Sequence, residues 1–132
     1  NFSFYQRKYR WKKKHCEQLW NDIVRLIHKK DIATHFIGSV VYIEKGIYHA
    51  TSIDQLFVID GQQRLTTISL LLHALGLAIE DQGIESNITQ GKIELFLFNK
   101  EEEGDFHHKL SLIKGDNKTL FKVLKGKEYP KK

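Results

Sequence analysis

The sequence has little of what marks several large classes of protein. It contains one cysteine, Cys16, so it cannot form an internal disulfide, and this suits a reducing cytoplasm. No apolar run approaches the roughly 20 residues that a membrane-spanning helix needs. The charged N-terminal stretch also lacks the apolar core of a signal peptide. We therefore predict a cytoplasmic protein with no membrane partner.

Methionine is absent altogether, and the first residue is Asn1. This start predicts that the chain is a piece of a longer protein. Its 132 residues are enough for one domain with a real core, and we predict a single domain over residues 1–132. The hydrophobic and charged fractions, 41% and 28%, are typical of a globular domain.

Several enzyme signatures are missing as well. There is no Gly-x-x-x-x-Gly-Lys-Ser/Thr run, which excludes a P-loop NTPase, and neither Gly-x-Gly-x-x-Gly nor Gly-x-Ser-x-Gly occurs. The seven histidines are scattered through the chain and form no histidine–metal nuclease motif. The adjacent His107 and His108 must point in different directions, so they make a poor metal pair and are predicted to be loop residues.

The stretch from Phe57 to Ile68, FVIDGQQRLTTI, carries the most information. Residues 56–59 are apolar and predict a short buried strand, which Asp60 and Gly61 interrupt. Helical periodicity follows at once, with apolar residues spaced by three and four at Leu65, Ile68, Leu72, Leu75 and Ile79. Such a turn presents free backbone N–H groups and the positive end of a helix dipole. This geometry favours an anion.

The side chains at this turn are suited to holding a phosphate. Arg64 can donate two parallel hydrogen bonds to phosphate oxygens, and Gln62 and Gln63 offer donors and acceptors. Asp60 can accept hydrogen bonds or hold a divalent cation. The alternative is a simple capped helix in which Asp60 is the N-cap and its neighbours are solvated.

Two threonines follow in the first turns of the predicted helix. Thr66 or Thr67 could reach a phosphate or a metal ion. Hydrogen bonding to the helix backbone explains them equally well.

A pass along the whole chain predicts an α+β order of elements. The predicted helices cover residues 16–27, a segment from 62 to about 82–83, and a last helix over 120–124 with Asp116 or Asn117 as its cap. The predicted strands cover residues 35–44, 47–51, 56–59 and 93–98, the last of them interior because it is apolar on both faces.

The formal net charge of +5 is concentrated in two basic clusters. The first interleaves cations with Tyr9 and Trp11, and its basic residues are Lys8, Arg10, Lys12, Lys13 and Lys14. The second closes the chain. Basic side chains beside aromatics suit phosphate contact and base stacking, which makes residues 12–14 candidates for DNA binding. The alternative is a solvated helix entry and a frayed tail. Trp11 could stack on a base, although the sequence favours it as a core anchor for the first helix.

Two motifs carry a resemblance to a known family. The run Asp-Gly-Gln-Gln-Arg at 60–64, followed by Leu-Thr-Thr, resembles the signature of the N-terminal domain of GmrSD-type restriction endonucleases. Residues 5–11, Tyr-Gln-Arg-Lys-Tyr-Arg-Trp, are similar to the family's opening Tyr-Gln-Arg-x-Tyr-x-Trp motif. Residues 36–40 resemble its next strand, and Lys109, Leu110, Asp116 and Phe121 fit more loosely. Ser3 stands where the family usually has a proline.

The resemblance implies a ParB/sulfiredoxin-like fold, a small mixed sheet with packed helices, at the N-terminus of a longer protein. It also implies a domain that binds and hydrolyses a nucleoside triphosphate with Mg²⁺ in a bacterial, modification-dependent restriction protein for phage defence. A separate downstream nuclease domain would cut the DNA, which the full-length protein binds. The alternative is a non-enzymatic ParB-like module that binds DNA or regulates.

The same resemblance assigns roles to particular residues. The implied catalytic residues are Asp60, Gln62, Gln63 and Arg64. Asp60 would be the metal ligand, and Gln62 or Gln63 would orient the attacking water. The implied nucleotide-binding residues are Tyr5, Gln6, Arg7, Gly61, Arg64 and Thr67. The family pattern brings Arg7 to the turn, where it and Arg64 would repel each other unless an anion lay between them. Alternatively, Arg7 pairs with Asp22 or Glu17.

Overall fold

The computed structural model describes residues 2–4, 8–31, 34, 36–44 and 55–126. The strands in this part of the chain are β1 (Phe2–Phe4), β2 (Val41–Glu44), β3 (Leu56–Asp60) and β4 (Leu110–Ser111). The helices are α1 (Lys13–His28), α2 (Gln62–Asp81), α3 (Gln90–Leu97) and α4 (Lys114–Leu124), with a 3₁₀ turn at Gly104–His107. The predicted α+β class is confirmed.

The strands form one mixed sheet in the order β2-β3-β1-β4. Strand β1 runs parallel to both β3 and β4, with Phe2 opposite Leu56 on one side and Leu110 on the other. Strand β2 runs antiparallel to β3 along the edge. The N-terminal strand therefore lies inside the sheet, and it runs in the same direction as β3.

The core lies where β3 and β4 meet helices α3 and α4. Its buried residues are Val58, Ile93, Leu97, Leu110, Leu120 and Leu124, and Leu65, Leu72 and Ile79 of α2 pack against them. Removal of these apolar side chains from water stabilises the sheet against its helices. The core thus fixes β3 and α2, the two elements on either side of the Asp60–Gly61 turn.

The strand predicted over residues 93–98 is wrong, because this segment is helix α3. The Thr89 hydroxyl caps the helix by accepting a hydrogen bond from the Lys92 backbone N–H at 3.3 Å. Ile93 and Leu97, one helical turn apart, are 3% and 4% exposed, whereas Leu95 and Phe96 are 53% and 70% exposed. The apolar run therefore has one buried helical face rather than two buried strand faces.

Helix α4 begins earlier than its predicted caps. Its N-cap is Ile113, so Asp116 and Asn117 lie inside the first turns instead of preceding them. The Asn117 Oδ1 accepts a hydrogen bond from the Leu112 backbone N–H at 2.9 Å. Asn117 thus binds the backbone just before the helix, although the N-cap is Ile113.

The prediction that both adjacent histidines are loop residues is wrong, because His107 ends the 3₁₀ turn and His108 forms an isolated β-bridge with Phe98. His108 is also buried. This side chain is 1% exposed and stacks on the Phe121 ring at a centroid distance of 3.6 Å. His107 belongs to the 3₁₀ turn, and its ring is inclined at 82° to that of His108. The two rings do point in different directions, as predicted.

The remaining predicted elements fare differently. Residues 36–40 of the strand predicted over 35–44 have no regular structure, and only β2 is extended. The strand predicted over residues 47–51 lies outside the described residues. Within the part of the chain that the structure describes, no helix is both long and apolar enough to cross a membrane.

Candidate functional site

The turn between β3 and α2 requires glycine at position 61. Gly61 is the N-cap of α2 and has φ +88°, in the left-handed region that side chains disfavour. A Cβ atom there would lie 3.1 Å from the Ser39 carbonyl oxygen and 3.3 Å from the Val40 Cα. The alternative in which Asp60 is the N-cap is wrong, because the N-cap of α2 is Gly61.

The first turn of α2 presents backbone donors, as the sequence predicted. The hydrogen-bond ladder of the helix begins with the Leu65 N–H, which donates to the Gly61 carbonyl oxygen at 3.1 Å. The N–H groups of Gln63 and Arg64 precede that bond, at the positive end of the helix dipole. This end of a 20-residue helix therefore favours a bound anion.

The Arg64 guanidinium is held in place by the loop before β2. Its Nη1 donates to the carbonyl oxygens of Ile37 and Ser39 at 3.2 and 3.1 Å. Gly38, between them, has φ +105°, and a Cβ atom at this position would lie 1.7 Å from Nη1. Among the described residues, the Nε and Nη2 atoms have no hydrogen-bond partner.

The Gln63 side chain fastens the N-terminal segment to the start of α2. Its Oε1 accepts hydrogen bonds from the backbone N–H groups of Arg10 at 2.6 Å and Trp11 at 3.1 Å. Its Nε2 donates to the Lys8 carbonyl oxygen at 3.1 Å. One amide thus binds three backbone groups of residues 8–11. We call this set of bonds the Gln63 clamp.

Gln62 is buried and anchors the turn to the strand before it. Its Nε2 donates to the carbonyl oxygens of Val58 at 2.9 Å and Ile59 at 3.3 Å. Both glutamine side chains are therefore engaged with backbone groups. The implied role of Gln62 or Gln63 in orienting an attacking water stays a prediction.

Tyr9 connects the N-terminal segment to helices α2 and α4. Its backbone N–H donates to Asp116 Oδ2 of α4 at 2.7 Å, and its hydroxyl lies 2.8 Å from Thr67 Oγ1 of α2. Burial, with a hydrogen bond to Cys16 Sγ at 3.4 Å, raises the pKa of the Tyr9 hydroxyl. Thr67 also donates to the Gln63 carbonyl oxygen at 2.8 Å. It is buried and is not part of the cleft lining described next, although it was predicted to bind nucleotide.

These elements enclose an open cleft of about 790 Å³. It is lined by Lys8, Arg10, Trp11, Ile59, Asp60, Gly61, Gln62, Gln63, Arg64 and Ile113. The lining carries three cationic side chains and one carboxylate, so its electrostatic field attracts an anion. The cleft brings together all five residues of the predicted turn motif.

Other predicted site residues lie elsewhere or outside the described residues. Tyr5, Gln6 and Arg7 belong to the latter group. The exposed residues 12–14 lie at the start of α1 and do not line the cleft, and Lys13 pairs with Glu17 at 3.5 Å. Gly38 and Ile113 were missed as site residues, since nothing in their local sequence distinguishes them.

A metal ion at this site would depend on Asp60. Its carboxylate is exposed at the end of β3, and it is the only one in the described cleft lining. The described residues contain no group of three or more histidine, cysteine or acidic side chains able to hold a metal ion. This single carboxylate fits Mg²⁺, which proteins commonly hold through one or two carboxylates together with substrate phosphates and water.

Comparison with known proteins agrees with the motifs. Residues 3–132 match the family described as the N-terminal domain of GmrSD restriction endonuclease. No curated protein matches the chain. The family match spans both sequence motifs and every element of the cleft. The chain therefore belongs to the N-terminal domain family of GmrSD restriction endonucleases, which sets it in the context of DNA restriction.

Proposed function

We propose that this domain binds a nucleoside triphosphate in the cleft, with its phosphates at the Asp60–Gly61 turn, and hydrolyses it in support of DNA restriction. The observation that carries the proposal is the Arg64 guanidinium, which two carbonyl groups fix at the start of α2, where the N–H groups of Gln63 and Arg64 precede the first hydrogen bond of the helix. The mixed sheet with packed helices is consistent with the ParB/sulfiredoxin-like fold, which is part of the same proposal.

The basic residues bind and orient the phosphates. Arg64 directs Nε and Nη2 to phosphate oxygens while its Nη1 stays on the loop before β2, so little side-chain freedom is lost on binding. Lys8 and Arg10 add positive charge from the opposite segment, where the Gln63 clamp holds their backbone. Donors fixed in this way stabilise charge on a transferring phosphoryl group without rearrangement.

Asp60 is the residue that would hold Mg²⁺, directly or through water. Held there, the ion would supply positive charge that offsets the charge of the phosphates. Tyr5, Gln6 and Arg7 immediately precede the cleft-lining Lys8, and we propose that they complete the nucleotide site, as the family resemblance implies. Thr67 is left out of the proposal because its hydroxyl is bonded beneath the cleft.

Modification-dependent restriction by the longer protein belongs to the same proposal. Nucleotide turnover here would license cleavage of foreign DNA by a separate nuclease domain. The described residues hold no group of three or more histidine, cysteine or acidic side chains that could form a nuclease metal site. A second candidate function is a non-enzymatic ParB-like DNA-binding module. The exposed lysines at the start of α1 favour it, because they could contact DNA phosphates. The Asp60–Gly61 turn would then bind a phosphate of the DNA backbone.

The test is a titration of the purified chain with a nucleoside triphosphate, with and without Mg²⁺. Arg64→Ala should lower affinity about ten- to a hundredfold, because it removes charge-assisted bonds worth roughly 1.5–3 kcal/mol. Arg25→Ala, at an exposed position on α1, is the matched control and should bind as the wild type does. Equal affinity in a folded Arg64→Ala protein rejects the proposal. Binding of DNA without binding of nucleotide would support the second candidate.

A further inference from the structure

The cleft has an apolar side that phosphate contacts leave unused. Trp11, Ile59 and Ile113 line it together with the charged residues. Trp11 is half-buried and does not belong to the core cluster, so it is not the core anchor that the sequence favoured. A partly exposed indole in the lining of a charged cleft suits a ligand with an apolar face.

The position of Trp11 is fixed by a hydrogen bond to its backbone. Its backbone N–H is held by Gln63 Oε1 at 3.1 Å, within the same clamp that orders Lys8 and Arg10. The His15 ring lies 5.8 Å away, tilted by 35°, and His15 Nδ1 in turn accepts the Lys12 backbone N–H at 3.0 Å. An aromatic surface ordered before binding loses little freedom when it stacks on a ligand.

We infer that Trp11 is the base-stacking residue of the cleft. The inference rests on the proposed function and specifies its ligand as a complete nucleotide, with its base on the Trp11 indole and its phosphates at Arg64. The volume of about 790 Å³ is within the usual range for a small-molecule site and holds more than a triphosphate group. Every nucleotide base can stack on an aromatic ring. Trp11 therefore contributes affinity for the base with little discrimination between bases.

The experiment compares a nucleoside triphosphate with inorganic triphosphate, both with Mg²⁺. The wild-type chain should bind the nucleotide about tenfold more tightly or better, the contribution expected of one stacked base. Trp11→Leu should reduce that ratio towards one and leave the affinity for inorganic triphosphate unchanged. Trp11→Phe should keep part of the ratio, and Trp20→Leu, at an exposed position on α1, should keep all of it.

Fluorescence supplies a second readout that does not depend on a change at Trp11. The chain has two tryptophans, so in Trp20→Phe the only indole is Trp11. Nucleotide should quench its emission, and inorganic triphosphate should not. Equal wild-type affinities for the two ligands, or an unchanged ratio in Trp11→Leu, would overturn the base-stacking role and leave the phosphate site standing. Failure of both ligands to bind would overturn the proposed function and this inference with it.

Discussion

Arg64 can point at a phosphate because Gly38 leaves room for it. The Gly38 backbone passes so close to the guanidinium that a methyl group would occupy the position of Nη1. The two carbonyl groups that hold the arginine flank this glycine in the chain. Residue 38 therefore governs the orientation of the guanidinium that we propose binds phosphate.

We predict that Gly38→Ala weakens nucleotide binding about as much as Arg64→Ala does, because the new Cβ displaces the guanidinium. Gly83→Ala is the matched control. Gly83 also has positive φ, +58°, but a Cβ there meets nothing within 4 Å. Each substitution should cost roughly 1–2 kcal/mol of stability from backbone strain, measured by denaturant unfolding. Full nucleotide affinity in Gly38→Ala would show that the loop does not orient Arg64.

Asp60 is the second residue whose role a single substitution separates. Because Gly61 is the helix cap, Asp60→Asn removes no capping bond and should leave the melting temperature nearly unchanged. If Asp60 holds Mg²⁺, the same change should abolish the effect of Mg²⁺ on nucleotide affinity and turnover. Titrations with and without the ion measure this directly. Normal Mg²⁺ dependence in the asparagine variant would return Asp60 to a structural role.

At the scale of elements, residues 8–11 act as a bridge between α2 and α4. The Gln63 clamp ties them to α2, and the Tyr9 backbone ties them to Asp116 of α4. The Tyr9 hydroxyl adds a contact to Thr67. The cationic and aromatic side of the cleft is therefore supported by bonds to helices rather than by the sheet alone.

This bridge predicts a stability change at alkaline pH. The raised pKa of Tyr9, caused first by burial, means that the folded state keeps its phenol proton to higher pH than the unfolded state. The contribution is complete below about pH 10, the value for an unfolded tyrosine, and is lost as pH rises through the folded pKa. Unfolding free energy should thus fall more steeply above pH 10 in the wild type than in Tyr9→Phe. Parallel curves would contradict the assigned environment.

The elements also mark what could be predicted from the sequence. The β3–Gly61–α2 unit was predictable because a short apolar strand, a glycine and a long periodic helix follow one another directly. Helix α3 was not, since its few apolar residues stand almost side by side and fit either period. The Thr89 cap would have favoured a helix.

The site was predictable only where its residues are contiguous. Residues 60–64 meet at the cleft because one turn holds them together. The bonds from Arg64 to residues 37 and 39, and from Tyr9 to Asp116, cross 27, 25 and 107 positions. Their backbone groups occur in every residue, so no local pattern identifies them. Only the folded sheet brings these segments together.

At the scale of the whole molecule, the described basic residues of the N-terminal cluster and Arg64 divide between two locations. Lys8, Arg10 and Arg64 line the cleft, whereas residues 12–14 are exposed at the start of α1. The first set suits a small anion in a confined site. The second suits a longer polyanion on an open surface, consistent with the DNA-related context of the family.

We predict that this chain alone does not cleave DNA and binds it weakly, through electrostatic contacts. Changing residues 12–14 together to alanine should lower DNA affinity and reduce the slope of log affinity against log salt by about two to three. Nucleotide affinity should stay unchanged, because these lysines lie outside the cleft. DNA binding at several salt concentrations measures the effect. Strand scission that survives further purification would locate the nuclease in this chain after all.

The most direct test of nucleotide binding at the Asp60–Gly61 turn is an amide NMR titration of the chain with a nucleoside triphosphate and Mg²⁺. We expect the largest shifts at the backbone N–H groups of Gln62, Gln63 and Arg64. Smaller shifts should follow at residues 8–11 and 37–39, and all of them should be lost in Arg64→Ala. Largest shifts at the exposed start of α1, or saturation without any change at the Gly61 turn, would contradict nucleotide binding at this turn.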